Sequence, residues 1–329
     1  LCDDCRFSCY KYILFSQSSL LLLKMIKVGI FGKGNFSSKE FDYIRTHEAF
    51  KYVGSYGSFP EMEDYKSPIS LLNKVDALFI FDIEISDYKT IKEFTRKSKH
   101  IYIHDPSRLS HSQGQQLQKL AQEAGTVIQF GYSPVYSNAL EILDDKYLEA
   151  PIVEIQHTIK YNNNGATLSL LNDLLLQDIE MACHFVKSEI KSVRANGLGN
   201  IEENPDQIYA RLEYLNGSVV NLNISKMGVE NKYISTLFHG NTQQVVNHLE
   251  NSVSFFEEND LEKINMTNNF HSVSKVTLSQ DNNFKKSLSD FHQCILNCRQ
   301  PKSSIDSFIN VKFIANFIVD QVSSNFAKI

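Results

Sequence analysis

Tryptophan is absent from this chain, and proline (7), glycine (14) and cysteine (6) are scarce among its 329 residues. So little proline and glycine excludes collagenous and low-complexity architectures. Six cysteines are too few for a disulfide-dense secreted scaffold of this length. A dominant charge is also lacking: 33 Lys+Arg stand against 38 Asp+Glu, a formal charge of −5, with no basic block. Such a chain carries no footprint for nucleic acid or for an anionic membrane surface. The nearly uncharged, Leu-rich stretch at residues 12–23 falls short of the about 20 residues that cross a bilayer. What is present, 42% apolar and 22% charged residues, is the composition of a globular protein. At roughly 100–200 residues per domain, two domains are expected.

Residues 1–24 differ from the rest and hold Cys2, Cys5 and Cys9. Three origins compete for them. A secretory or lipoprotein leader is opposed by Lys11, by a Ser-rich break in the apolar run and by the lack of a small-residue cleavage site. A thiolate metal site lacks a fourth ligand nearby. The favoured origin is upstream sequence outside the protein proper, with Met25 as the true start. Residues 1–24 are therefore set apart from the fold. Without them the formal charge becomes −6 and three cysteines remain, which leads to the expectation of a cytoplasmic protein.

The folded part opens with a strand-like run, Ile26–Phe31, then Gly32-Lys33-Gly34-Asn35-Phe36-Ser37, then a helical segment over Ser38–Thr46. Strand, Gly-x-Gly and helix are the start of a dinucleotide-binding unit. The first glycine makes the tight turn, and the second lets backbone approach a pyrophosphate at the positive helix end. The third glycine is replaced by Ser37. The second strand, Lys51–Tyr56, ends in Gly57-Ser58 where a ribose-binding carboxylate is expected, and Glu61, Glu63 and Asp64 come only after Pro60. Further alternation follows: strands at Asp76–Phe81, His100–Ile103 and Thr126–Phe130, helices at Tyr88–Ser98 and Ser110–Ala124, the last ended by Gly125. Strands alternating with helices predict an α/β domain with a doubly wound parallel sheet of Rossmann type. Ligands bind outside the carboxyl ends of such strands, where Asp82, His104 and Asp105 fall.

From Met25 onward the chain resembles the glucose–fructose oxidoreductase / inositol dehydrogenase (Gfo/Idh/MocA) family. The motifs that carry the resemblance are Lys27-Val28-Gly29-Ile30-Phe31-Gly32-Lys33-Gly34-Asn35, Asp76-Ala77-Leu78-Phe79-Ile80, the segment Lys99–Pro106, Gln129-Phe130-Gly131-Tyr132, and the run from Leu288 through Pro301 to a helix at Ile309–Val322. The resemblance implies hydride transfer between a sugar or cyclitol-like small-molecule substrate and NAD or NADP, with Gly32, Gly34, Asn35, Phe36 and Asp82 at the cofactor. In that family a Lys in a Glu-Lys-Pro motif touches substrate and nicotinamide, and an Asp-x3-His pair on one helix supplies the acid/base. Here the Lys position is Asp105, the Glu position is His104, the Asp is kept as Asp173, and the His position is Gln177. Gln does not titrate near neutrality, and Asp brings no positive charge. The tentative catalytic set is thus Asp173, Gln177, Asp105 and His104.

Helical spacing aligns Asp173, Gln177, Glu180 or Met181, and His184. His184, nearly three turns from Asp173, is read as a core or capping residue, and His157 as structural. No metal site is expected: Cys294 and Cys298 are i, i+4 on a helix without further ligands and read as small apolar residues. The second domain is expected to be α+β with a large, mostly antiparallel sheet. It begins with the strand Ile152–Lys160 and a specificity loop, Tyr161–Gly165. A helix, Ser169–Val186, and a hairpin around Asn216-Gly217 follow. The domain boundaries are residues 25–131 and 132–329. A sheet with one face uncovered by helices implies a homodimer or homotetramer. Two functions stay open: an NAD(P)-dependent oxidoreductase with an altered acid/base set, or a catalytically inactive family member that binds a ligand or a protein through the old cleft.

Overall fold

The structure is a computed structural model. It describes residues 25–33, 38–58, 65–81, 87–131, 133–143, 152–161, 168–199, 205–240, 242–257, 272–279, 283–325 and 327–328. The chain divides into two compact units, one of Leu1–Ser133 with Phe284–Ile309 and one of Pro134–Asn283 with Asn310–Ile329.

In the first unit β1 (Ile26–Lys33), β2 (Phe50–Ser58), β3 (Ala77–Phe81), β4 (His100–Ile103) and β5 (Ile128–Phe130) form a five-stranded sheet in the order β2-β1-β3-β4-β5. Every pairing is parallel. The central strand β3 reads as an unbroken apolar run because both of its faces are covered; all five of its residues are buried. The connecting helices are α1 (Ser38–Thr46), α2 (Pro68–Leu72), α3 (Tyr88–Arg96) and α4 (His111–Ala124). The ends of α4 follow from its flanking residues. Ser110 and Gln113 form a reciprocal capping box, and Gly125 closes the helix in the left-handed region at φ 62°.

Gly32 pairs with Phe81 where β1 and β3 end. Its φ is +144°, and a Cβ there would stand 1.8 Å from the Phe81 carbonyl oxygen. Only glycine allows this approach.

The C-terminal return, Phe284–Ile309, corrects the expected boundary, which placed it in the second domain. Leu288 and Phe291 of α7 (Asn283–Asn297) are fully buried in the first unit's core with Phe79 and Tyr102. The Tyr102 hydroxyl lies 2.9 Å from Ser287 Oγ, and Gln129 Nε2 donates to the Ser287 carbonyl at 2.7 Å. This apolar face and its two polar anchors hold the segment on the parallel sheet. Because α7 stops at Asn297, Cys298 lies beyond the helix, so the expected i, i+4 helical pair with Cys294 does not form.

The second unit is built on a nine-stranded sheet. Its strands are β6 (Ile152–Lys160), β7 (Ile190–Gly199), β8 (Gln207–Tyr214), β9 (Val219–Gly228), β10 (Lys232–His239), β11 (Thr242–Asn247), β12 (Ser252–Glu257), β13 (Ser272–Thr277) and β14 (Ala327–Lys328). Their order is β13-β12-β11-β10-β6-β9-β8-β7-β14. The β6–β9 and β7–β14 pairs are parallel and the other pairs are antiparallel. Alternation along β8 turns Ile208, Ala210, Leu212 and Tyr214 to the core and Tyr209 and Arg211 to the outer face. A short helix α5 (Asn138–Glu141) precedes the sheet, and α6 (Leu168–Phe185) packs on β6 and β9. The final helix, α8 (Ile305–Ser324), adds Val311, Ile314, Ile318 and Val322 to the same core.

Gly32→Ala is expected to destabilise the protein by ~3 kcal/mol or more, since it combines a left-region φ with a backbone clash. Chemical denaturation followed by circular dichroism measures this, and a loss below about 1 kcal/mol would contradict the account of the β1–β3 junction.

Candidate active site

The carboxyl ends of the parallel strands bring together Gly32 of β1, Phe81 of β3 and His104 directly after β4. The His104 backbone N–H donates to the Ile80 carbonyl at 2.8 Å, which fixes the residue at the strand end. Its imidazole lies 5.0 Å from the Phe81 ring and 5.8 Å from the Phe284 ring, centroid to centroid. Nε2 stands 3.7 Å from Glu40 Oε1. Burial holds the His104 pKa below its ordinary value, while the Glu40 and Asp105 carboxylates pull the other way. The result is a neutral imidazole facing a carboxylate.

Glu40 was not among the expected site residues. It sits in the first turn of α1, the helix opened by the glycine loop, where an acid reads as an ordinary partner of the helix dipole. Only the strand order, which places β4 two strands from β1, brings it to His104.

Asp105 is exposed, and its Oδ1 accepts the Ser107 N–H at 2.8 Å, closing an Asx turn. Its charge is therefore screened by water, and the penalty of about 4 kcal/mol for one charge pair at 4 Å and an effective dielectric of 20 is an upper bound here. Gly34, Asn35, Phe36 and Asp82 lie outside the described residues, as do Glu61, Glu63, Asp64 and all of the Tyr161–Gly165 loop after Tyr161.

In the second unit Asp173 and Gln177 fall one turn apart on α6. They are half-buried, as are Glu180 and His184, whereas Met181 is fully buried and faces the core. The helical face expected from spacing therefore runs through Glu180, not Met181. His184 meets the Phe185 ring edge-on at 5.9 Å.

Beside Gln177 stands a residue that belongs to none of the sequence motifs. Asp178 is completely buried, and its Oδ1 lies 2.9 Å from His157 Nδ1 on β6. The His157 ring stacks on Tyr233 at 3.9 Å and 6°, Tyr233 stacks on His248 at 4.2 Å, and His248 Nε2 lies 2.8 Å from Ser235 Oγ. Burial raises the Asp178 pKa, and hydrogen bonds from His157 and Tyr233 oppose it. His248 is pushed down to about 3 by burial, with His157 adding to the shift. A sequence signal existed: His157 occupies an inward position of an alternating strand and Asp178 an inward position of an apolar helix, and buried polar groups need partners.

Among the described residues no group of three or more His, Cys, Asp or Glu is arranged to hold a metal ion, and no helix is long and apolar enough to cross a membrane.

A five-stranded parallel sheet with a glycine turn at its switch point, joined to a large mixed sheet, is the two-domain architecture of the Gfo/Idh/MocA fold. No family model matches the sequence. The UDP-N-acetylglucosamine 3-dehydrogenase of Acidithiobacillus ferrooxidans is 22% identical over 193 residues, 58% of this chain and 62% of that protein, so the match spans less than two thirds of the relative's length. The solved structure of that enzyme superposes with a TM-score of 0.79 at 18% identity, covering 91% of this chain and 98% of the other. A dehydrogenase (MviM) from Clostridium difficile gives 0.76 at 18% identity, covering 90% and 99%. An oxidoreductase from Sinorhizobium meliloti gives 0.71 at 15%, covering 92% and 99%.

Two histidines set an acid limit. His100 Nδ1 accepts the Val127 N–H at 3.0 Å, and burial lowers its pKa to about 4; His248 is lowered to about 3. A folded pKa below the unfolded value of about 6.5 means that the folded state binds fewer protons. The stability held by each neutral ring is complete above about pH 6.5 and lost as pH falls, at up to about 1.4 kcal/mol per unit. His100→Asn keeps an acceptor and removes one titration. It is expected to flatten the fall of unfolding free energy between about pH 6.5 and 4.5 in urea titrations, and an unchanged slope would refute the assignment.

Proposed function

We propose that the protein is an NAD(P)-dependent oxidoreductase acting on a hydroxyl of a sugar or cyclitol-like substrate, with His104 and Glu40 in place of the family's usual acid/base set. The observation that carries this is the neutral imidazole of His104, beyond β4 in the first unit's parallel sheet and 3.7 Å from the Glu40 carboxylate. The fold and the dehydrogenase named as a sequence relative support the reaction class.

Dinucleotide fit is supported by the close β1–β3 approach at Gly32 and by α1 beginning just after it, whose N-terminal backbone would hold the pyrophosphate. When bound, the nicotinamide supplies the two-electron acceptor for hydride from the substrate carbon. The remaining work belongs to this chain. His104, kept unprotonated by burial, accepts the hydroxyl proton, and Glu40, 3.7 Å from its Nε2, stabilises the imidazolium that forms. Phe81 and Phe284 exclude water from the ring. In the second unit Asp173 and Gln177 are half-buried and one turn apart on α6, and the Gln177 amide donates and accepts hydrogen bonds without titrating. Asp105 supplies no cation to polarise the substrate oxygen, so the proton transfer carries more of the barrier.

The exposed Asp105, committed to its own turn, also favours a second reading, a family member that binds a ligand at these strand ends without turnover. The two readings separate on substitution. His104→Asn is expected to lower NAD(P)-linked oxidation of a sugar substrate by ~10²–10⁴-fold, and Glu40→Gln to shift the acidic limb of its pH profile downward. Asp105→Lys with Gln177→His is expected to raise turnover. Wild-type turnover insensitive to His104→Asn, or no turnover in wild type that the double variant restores, would overturn the role given to His104.

A further inference from the structure

A cleft of about 650 Å³ lies between the end of α6, the start of β7 and one side of α8, with every lining residue in the second unit. Its size falls within the about 300–1,000 Å³ typical of small-molecule sites. None of its residues belongs to the oxidoreductase reading.

Two kinds of group line it. Val186, Ile190, Val193 and Ile314 are apolar. Phe313 and Phe317, one turn apart on α8, remain 59% and 46% exposed. The polar groups are mainly hydrogen-bond donors. Lys187 Nζ donates to the Cys183 carbonyl at 3.2 Å, and Asn310 Nδ2 to the Cys183 sulfur at 3.7 Å. Tyr214 is 2% exposed, and its hydroxyl is buried near the Cys183 thiol with no hydrogen-bond partner among the described residues. Lys191 adds a second cation and Glu189 one carboxylate. The α8 wall is fixed to the sheet: Gln321 accepts the Ala195 N–H at 2.8 Å and donates to the Val193 carbonyl at 3.0 Å.

We propose that this cleft binds a small amphipathic carboxylate, its apolar body against Phe313 and Phe317 and its carboxylate turned to the Tyr214 hydroxyl, Asn310 and Lys187. A buried phenol without a partner is completed by an acceptor. Donors backed by a net positive pair of lysines select an anion over a neutral acceptor. Exposed rings beside the cleft lose their water contact only when an apolar body covers them.

Isothermal titration of the intact protein with phenylacetate and with octanoate tests this, the two acids separating an aryl from an alkyl body. Saturable binding with Kd of about 1 mM or tighter is expected for at least one, and about tenfold weaker binding for neutral phenylacetamide. Tyr214→Phe is expected to weaken the acid by ~3–10-fold without lowering the unfolding temperature, because the deleted hydroxyl has no partner to lose. Phe317→Ser is expected to weaken it by about tenfold or more. No saturation by either acid below ~10 mM, equal affinity for phenylacetamide, or affinity unchanged by Tyr214→Phe would overturn the proposal.

Discussion

The junction of Gly32 with the Phe81 carbonyl is the contact on which the first domain turns. Parallel strands must run close together to bury continuous apolar faces, and their ends must then part so that backbone N–H groups become available. Gly32 does both by removing its Cβ from a space that Phe81 already fills. α1 starts a few residues later, which carries Glu40 to the strand-end side of the sheet, and β4 delivers His104 to the same side. The His104–Glu40 pair is a consequence of strand order. The return segment then closes the site: Phe284 packs on Phe81 and His104, while Leu288 and Phe291 anchor the helix that carries it.

The second domain solves a different problem. Its sheet holds α6 by an apolar stripe and one buried carboxyl, Asp178, joined to His157. A carboxyl in such a place is costly unless paired, and removing one partner leaves the other uncompensated. The stack of His157, Tyr233 and His248 spreads that pairing over β6, β10 and the turn after β11. Asp178 is the neighbour of Gln177, so the same contact that holds α6 on the sheet also fixes the rotation of Asp173 and Gln177 about the helix axis.

Much of the fold was legible because its elements carry local signals. The α4 bounds follow from Ser110 and Gly125, the β8–β9 hairpin from Asn216-Gly217, and β6 from strict alternation. The parallel sheet follows from strands alternating with helices. Three things were not legible. The return of Phe284–Ile309 to the first unit depends on which core Leu288 and Phe291 enter, and periodicity marks a buried face without naming its partner. Glu40 and Asp178 are single acids whose importance arises from residues 64 and 21 positions away, beyond any local pattern. β7, β12 and β13 have weaker alternation and are placed by pairing in the wide sheet. At the candidate site, His104 and Asp105 were read from a motif position, and their unlike environments, one enclosed by rings and the other exposed in a turn, come only from the tertiary structure.

Under the proposed function, the departures at Asp105 and Gln177 bear on chemistry more than on cofactor recognition, which would rest on the β1–α1 backbone. The proposed reaction requires this backbone to hold a nicotinamide dinucleotide. Titration of NADH and NADPH against the intact protein, followed by nicotinamide fluorescence, tests this requirement. Saturable binding of at least one with Kd below about 1 mM is expected, and no saturation of either up to ~10 mM would overturn the proposed function.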